Sequence, residues 1–214
     1  MTSERHKASD ADAAAADGGA GRRDPLVDAA LDAARDCVLA VGVRRTTLTD
    51  VARRAGVSRM SLYRRWPDVR SLVGDLMTRE WLATALAAQP PGNAGPVRAR
   101  MVEGLVAGVR AFRAHPLMRK IVEVDPELLL PYVLERCGTS QLAFLDMFER
   151  TLREGHRDGS IRPGNPGRQA RALLLVVQSF VLSARTMTDP SDPELDDAAF
   201  DAELAHILER TLAP

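Results

Sequence analysis

The feature that most constrains this chain is a segment near its amino end that reads as two short helices joined by a tight turn. Within residues 44–66, the first of these helices is predicted to begin at Thr49, and Gly56 marks the turn that ends it. A second helix is predicted to begin at Ser58 and must end by Pro67, because proline cannot continue a helix and restrains the residue before it. Two short helices with this spacing predict a helix-turn-helix, which places its second helix in the DNA major groove.

The same segment carries a concentrated positive charge. Seven arginines stand against one acidic residue, Asp50, so the segment has a local net charge of +6 although the formal net charge of the whole chain is zero. These arginines occupy positions 44, 45, 53, 54, 59, 64 and 65. An arginine-rich helix is often only a solvated face. Here the arginines coincide with the turn, and a basic block on a helix-turn-helix is typical of a surface that contacts DNA phosphates.

The composition of the whole chain favours an all-α fold. Its 214 residues are 45% apolar but only 4% aromatic, so the core must be built from Leu, Val and Ala, of which Ala and Leu favour helix. We expect about nine or ten helices, the first of them capped by Asp24 and ended by Gly42. Residues 1–23, rich in Ala, Asp and Gly, are predicted to form a disordered tail. Residues 24–67 would then form a DNA-binding domain and residues 68–214 a larger helical domain.

Several classes of protein are disfavoured by what the sequence lacks. Cys37 and Cys137 lie far apart and outside any C-x-x-C pair, so we expect two small buried side chains and neither zinc nor a disulfide framework. The four histidines show no metal-ligand spacing, and no cofactor is expected. No apolar run approaches the roughly 20 residues that cross a bilayer, and no secretion signal is visible, which predicts a cytoplasmic protein. No motif of the G-x-S-x-G or H-E-x-x-H type occurs, which argues against an enzyme.

The amino end of the second short helix is the part that would face base edges. There Arg59 can donate two hydrogen bonds to the O6 and N7 atoms of guanine, and Met60 can contact a thymine methyl group. The hydroxyl groups of Ser58 and Ser61 complete this end of the helix. Phosphate contacts, which fix position without reading sequence, are expected from side chains around the turn. The candidates are Thr47, Thr49, Tyr63, Arg64, Arg65 and Arg70.

The segment resembles a known family. The runs LTDVARRAGVS, at residues 48–58, and LYRRWPD, at residues 62–68, followed by Leu72, are similar to the TetR/AcrR family of bacterial transcriptional regulators. The resemblance implies a homodimeric repressor that binds a two-fold DNA operator through its first three helices. It also places Arg59, Met60 and Ser61 at base-reading positions and Tyr63 and Arg65 at phosphate-binding positions. Val69 departs from the pattern, because many members carry lysine there, and Arg70 follows one residue later.

The resemblance further implies that the carboxyl-terminal helices bind a small effector. We expect an apolar or amphipathic molecule, held among helices near residues 68–89, 96–114 and 140–155. The candidate pocket residues are Trp81, Met101, Leu105, Phe112, Met118, Tyr132, Phe144, Met147, Phe148 and Gln178. The alternative for each of them is a plain core position, since Met and aromatic residues at helical spacing usually fill a core. A DNA-binding regulator without an effector is the alternative for the whole protein.

The last two helices are the predicted dimer interface. The segment 168–188 is apolar nearly all round, and one protomer alone would not cover such a helix on every side. We therefore expect it to pack against its own body on one side and against a second copy on the other. The candidate interface residues are Leu174, Val177, Val181, Leu204 and Leu208. The alternative is a central helix that lies wholly inside one subunit.

Overall fold

A computed structural model describes residues 24–92 and 94–214, and the predicted disordered tail at residues 1–23 lies outside this part. The described residues form α-helices and two short 3-10 turns without any strand, so the all-α prediction is confirmed. The ten α-helices are α1 (Pro25–Val41), α2 (Leu48–Ala55), α3 (Arg59–Arg65), α4 (Val69–Ala87), α5 (Val97–Ala114), α6 (Pro116–Val124), α7 (Leu130–Leu134), α8 (Thr139–Arg157), α9 (Pro166–Leu182) and α10 (Asp197–Leu212). The 3-10 turns span Pro126–Leu128 and Ala184–Thr186.

Local capping signals set the ends of the first three helices, which we call the head. The Asp24 carboxylate accepts a hydrogen bond from the backbone N–H of Leu26 and begins α1, as the sequence predicts. Gly56 adopts the left-handed conformation with a φ of 66°, which lets its N–H close the end of α2 and turns the chain into α3. Trp66 ends α3 directly before Pro67. The two short helices are thus joined by a tight turn at Gly56, as the sequence predicts.

One apolar core joins the head to α4 and α6. The inner faces of α1, α2 and α3 bury small and branched side chains against Leu72 and Leu76 of α4 and against Leu117 and Ile121 of α6. Trp66 is only 2% exposed and lies in the same core. This core therefore crosses from the head into the following helices, and the head packs directly against α4 and α6.

A second core lies between α5, α8, α9 and α10. We call the helices α4–α10 together the body. Leu152, Leu204 and Leu208 are almost wholly enclosed there. Asp201 of α10 is also buried and is paired with Arg110 and Arg113 of α5, so its charge is compensated inside the protein. The apolar contacts and these ion pairs together hold α10 against α5.

The structure corrects two expectations for the body. The long apolar helix predicted at 168–188 ends at Leu182, and a 3-10 turn at Ala184–Thr186 follows it. Cys137, expected to be buried, is an exposed free thiol, whereas Cys37 is buried as expected. Burial raises the pKa of the Cys37 thiol, an effect that the nearby Arg54 opposes.

The described residues contain no helix that is long and apolar enough to cross a membrane.

The predicted dimer-interface residues face inward instead. Leu204 and Leu208 are 0% and 1% exposed, so the prediction is wrong for both, because side chains that their own protomer encloses cannot contact a partner. Val177 is also buried, and together with Leu174 and Val181 it lines an internal cavity described below. The outward face of α9 carries other residues. Its exposed members are Arg168, Arg171, Ala172, Leu175 and Ser179.

A close contact at the end of α8 gives a test of this packing. A methyl group at Gly155 would lie 2.6 Å from Cγ1 of Ile161, which is only 2% exposed and has no room to retreat. We expect Gly155→Ala to lower the free energy of unfolding by about 1–3 kcal/mol through overpacking. The matched control is Gly108→Ala in α5, where no atom lies within 4 Å of the added methyl group. That change should raise stability by about 0.5–1 kcal/mol, and equal urea midpoints for the two variants would contradict the described packing.

Candidate nucleic-acid interface and effector cavity

The outer face of α3 is exposed along its whole length. Met60 is 80% exposed and Tyr63 is 50% exposed, although large apolar or aromatic side chains of this kind are usually covered. Arg59, Arg64 and Arg65 are exposed on the same short helix, and Ser61 is half-buried. The structure therefore brings together most of the residues that the sequence predicts to contact DNA. Their arrangement on one convex helix suits insertion into a groove.

Ion pairs divide the seven arginines of the basic block into two groups. Three of them are neutralised by carboxylates: Arg53 pairs with Asp50 at 2.8 Å, Arg54 with Asp36 at 3.0 Å and Arg44 with Glu127 at 2.7 Å. The other four have no carboxylate partner among the described residues, and the guanidinium of Arg65 lies over the ring of Trp66. These four are Arg45, Arg59, Arg64 and Arg65. The free positive charge is thus concentrated on α3 and beside the α1–α2 turn.

Two of the predicted DNA-contacting hydroxyl groups also cap helices. Thr47 Oγ1 accepts a hydrogen bond from the N–H of Asp50 at the start of α2, and Ser58 Oγ accepts one from the N–H of Ser61 at the start of α3. Sequence reasoning missed this role, although Ser and Thr directly before a helix are its ordinary signal. Thr49 is half-buried in the first turn of α2, and Arg70 is exposed in the first turn of α4.

A cavity of about 470 Å³ opens in the body between α4, α5, α7, α8 and α9. Nine of the ten predicted pocket residues line it, and the exception is Met101, which packs into the second core instead. Gly104 and Leu105 are the lining residues of α5 nearest to Met101, and the side chains of Gln89 and Pro90 pack against α5 at Gly104. The volume lies within the range of roughly 300–1,000 Å³ that small-molecule sites occupy.

Aromatic rings form one continuous wall of this cavity. Trp81 meets Phe112 edge to face with ring centroids 5.7 Å apart, and Phe112 meets Phe144 in the same way at 6.0 Å. Trp81 also contacts the imidazole of His115, with centroids 5.3 Å apart. These edge-to-face contacts fix the ring orientations. The rings of Trp81, Phe112 and Phe144 therefore support one another along the wall.

The polar lining residues include several that the sequence gave no reason to select. The carboxylate of Asp75 lines the end of the cavity nearest the head, and its Oδ2 accepts a hydrogen bond of 2.8 Å from the indole N–H of Trp66. Trp66 is the residue that ends α3. One hydrogen bond thus joins the cavity wall to the helix that carries the exposed arginines. Nothing in the local pattern around Asp75 distinguishes it from an ordinary surface acid.

A polar cluster also joins α1, α4 and the start of α6. The carboxylate of Glu80 lies 3.2 Å from Nε of Arg35, 3.0 Å from Nη2 of Arg79 and 3.5 Å from Nε2 of His115. His115 caps α6, because its Nδ1 accepts the N–H of Leu117. Burial lowers the pKa of His115, Glu80 opposes this shift, and the charge of Arg35 reinforces it. The imidazole is therefore held neutral beside the aromatic wall.

A third contact between body and head is a fully buried carboxylate. Asp125 follows α6, is 0% exposed, and accepts a hydrogen bond of 2.7 Å from the N–H of Val43 in the α1–α2 turn. Gly42 has a φ of 81°, and a methyl group there would lie 2.9 Å from Asp125 Oδ2. Glycine is thus needed at this position both for its conformation and for its lack of a side chain.

Comparison with known proteins agrees with this geometry. Residues 30–76 match the profile of bacterial regulatory proteins of the tetR family. A helix-turn-helix-type transcriptional regulator of Mycobacterium tuberculosis is 39% identical over 178 residues, which cover 83% of this chain and 89% of that protein. The structure of the Rhodococcus erythropolis transcriptional repressor QsdR superposes with a TM-score of 0.65 at 16% identity and covers 90% of this chain and 98% of its own. A complex of SmeT with triclosan superposes with a TM-score of 0.58 at 22% identity and covers 89% and 93% of the two chains.

The exposed basic helix, the turn at Gly56 and the helical body define a DNA-binding transcriptional regulator of the helix-turn-helix class. The chain belongs to the TetR family of bacterial transcriptional regulators. The family that the sequence resembles is thereby confirmed.

The neutral state of His115 predicts a dependence of stability on pH. Because burial depresses its pKa in the folded chain, the unfolded chain binds the proton more readily, and stability is lost as the pH falls below about 6.5. His115→Asn should keep the helix cap but remove this loss. The free energy of unfolding in urea, measured at about pH 8 and at about pH 5, should therefore fall less between the two pH values for this variant than for the wild type. His206→Asn, at an exposed position of α10, is the control. If His115→Asn loses as much unfolding free energy at acid pH as the wild type, His115 is not the group responsible.

Proposed function

We propose that this regulator is a homodimeric repressor that leaves a two-fold operator when a small apolar or amphipathic molecule occupies the body cavity. The observation that carries the proposal is the hydrogen bond between Asp75, in the cavity wall, and Trp66, at the end of the DNA-binding helix. A molecule that fills the cavity must contact the same helix, α4, that positions α3. The solved SmeT–triclosan complex supports a small-molecule role for this fold.

The DNA-bound state would use the unpaired arginines. Arg59 at the start of α3 would read guanine in the major groove, with Met60 and Ser61 beside it. Tyr63, Arg64 and Arg65, together with Arg45 and Arg70 at the flanks, would contact phosphates. The paired arginines of α2 contribute less, because their charge is already compensated by Asp36 and Asp50.

Release would follow from a change in the position of the head. Three contacts would transmit it: Asp75 with Trp66, Glu80 with Arg35, and Asp125 with Val43. A ligand shifts the equilibrium only by its differential affinity for the two positions. Because two heads must meet half-sites at a fixed spacing, a displacement of a few ångström is enough to prevent both from binding.

The outward face of α9 is the proposed centre of the dimer. Leu175 is 70% exposed, in a run with the small residues Ala172 and Ser179. An apolar side chain with small neighbours at helical spacing allows close approach of a second copy related by a two-fold axis. Residues of α9 and α10 that face inward would then support the interface from behind.

Arg59→Ala tests the base-reading role. We expect a loss of about 1–3 kcal/mol in binding to the operator and a relaxed preference at one base pair. Binding is measured after selecting the operator from random duplex DNA, with wild type and variant titrated against the same selected and scrambled sequences. Equal weakening on selected and scrambled DNA would remove Arg59 from base reading.

Arg65→Ala is the matched comparison for Arg59→Ala, because it also removes an unpaired arginine from α3. A phosphate contact should weaken binding to all sequences and reduce the slope of log K against log salt by about one unit. Arg150→Ala in the body, where Arg150 pairs with Asp146, should leave both quantities unchanged. Absence of binding to any DNA at low salt by the wild type would overturn the proposal as a whole.

Leu175→Arg tests the proposed dimer. A charge at the centre of an apolar interface must be desolvated, so the variant should sediment as a monomer and bind a two-fold operator far more weakly than the wild type. Val133→Arg, another change at an exposed apolar side chain, is the control away from α9. A dimer that persists in Leu175→Arg would place the interface elsewhere.

A further inference from the structure

The cavity that the proposed function assigns to an effector also carries information on the chemistry of that effector. We propose that it binds an apolar molecule with a neutral carbonyl group, which accepts hydrogen bonds from Gln178 and Trp81. This inference rests on the proposed effector cavity and concerns only what the cavity selects.

The first donor is the amide of Gln178, and its orientation is fixed by backbone groups. The N–H of Gly138 donates to Gln141 Oε1 at 2.8 Å, so the amide oxygen of Gln141 must be on that side. Its Nε2 then donates to the backbone carbonyl of Tyr132 at 3.0 Å and to Gln178 Oε1 at 2.6 Å. The oxygen of Gln178 is thereby used, and its NH₂ group has no acceptor among the described residues. Gln178 lines the cavity, so this group is available to a ligand.

The second donor is the indole N–H of Trp81. The side chain is only 5% exposed and lines the cavity, yet Nε1 has no acceptor among the described residues. The fully enclosed side-chain nitrogen and oxygen atoms without a hydrogen-bond partner, in the part of the chain that the structure describes, are Arg35 Nε and Arg113 Nη1. Trp81 lines the cavity and its Nε1 is not among these fully enclosed atoms, which leaves the indole N–H accessible. An unpaired buried N–H favours a ligand that supplies an acceptor.

Charge argues for a neutral acceptor. The charged residues among the described lining are Arg136 and Asp75. Arg136 is exposed and lies over the ring of Tyr132 at 5.5 Å, at the rim of the cavity. A carboxylate between Gln178 and Trp81 would lose its hydration without a close cation, which is costly. An amine between Gln178 and Trp81 would meet two donors and no acceptor, because the Asp75 carboxylate lies nearer the amino end of α4, where its Oδ2 accepts from Trp66.

The shape of the cavity fits an extended apolar chain or ring system. Its middle is walled by Phe112, Phe144 and Phe148, and exposed Val133 and Leu142 lie at its α7–α8 side. Apolar surface at the entrance allows a hydrocarbon tail to reach outward while the carbonyl stays inside. A molecule of about a dozen heavy atoms can be accommodated in 470 Å³.

The test compares three probes that share one chain length: nonyl methyl ketone, undecylamine and undecanoate. Their dissociation constants for the full-length protein are measured by isothermal titration calorimetry. We expect the ketone to bind at least about tenfold more tightly than the amine or the carboxylate. Gln178→Leu and, separately, Trp81→Phe should each weaken the ketone by about tenfold and leave the amine unchanged. Gln178→Glu, which replaces donors by acceptors, should reverse the preference towards the amine.

The control is Gln169→Leu, the same type of change in α9 at a glutamine that does not line the cavity and whose Nε2 already donates to the carbonyl of Arg162. It should leave the preference for the ketone unchanged. The inference is wrong if the amine or carboxylate binds as tightly as the ketone, or if the preference survives in both Gln178→Leu and Trp81→Phe. Failure of all three probes to bind would also overturn it. Operator binding by the same preparation tests the proposed repressor separately from the effector chemistry.

Discussion

The structure depends on the burial of one aromatic side chain, Trp66, at the junction of head and body. Its ring is enclosed in the core that α1–α4 and α6 share, and its N–H donates to Asp75 across the start of α4. Pro67 forces the chain out of α3 at this point, so the indole anchors both the end of the DNA-binding helix and the beginning of the next one. Trp66 and its hydrogen bond therefore connect the end of α3 directly to the wall of the cavity.

The head could be predicted from the sequence because its signals are local. Asp24, Gly56 and Pro67 act on backbone groups within a few residues of themselves, and the structure has each helix end where these residues place it. The distribution of free charge could not be predicted in the same way. Arg44 is neutralised by Glu127, whose position beside it depends on the whole tertiary fold. An arginine that pairs with a carboxylate far away in the sequence cannot be distinguished from an unpaired arginine by composition alone.

The cavity and the dimer face show where periodicity helps and where it fails. The sequence indicated nine of the lining residues, seven of them aromatic or Met, because large side chains on the converging faces of several helices must meet. Met101 has the same spacing, but it packs into the second core with Val97 and Val102 instead. In α10 the pattern identified an apolar face at Leu204 and Leu208 but not which neighbour covers it. That neighbour is the protomer's own α5, held in place by Asp201.

The buried carboxylate of Asp125 has a consequence for the autonomy of the head. A fragment truncated after α3 would lose the acceptor for the N–H of Val43, and it would also lose Leu72, Leu76, Leu117 and Ile121, which cover its apolar side. Such a fragment would expose a large part of its interior to water and leave the α1–α2 turn without its anchor. The helix-turn-helix of this chain is thus no detachable module, and its folding is completed by residues more than fifty positions downstream.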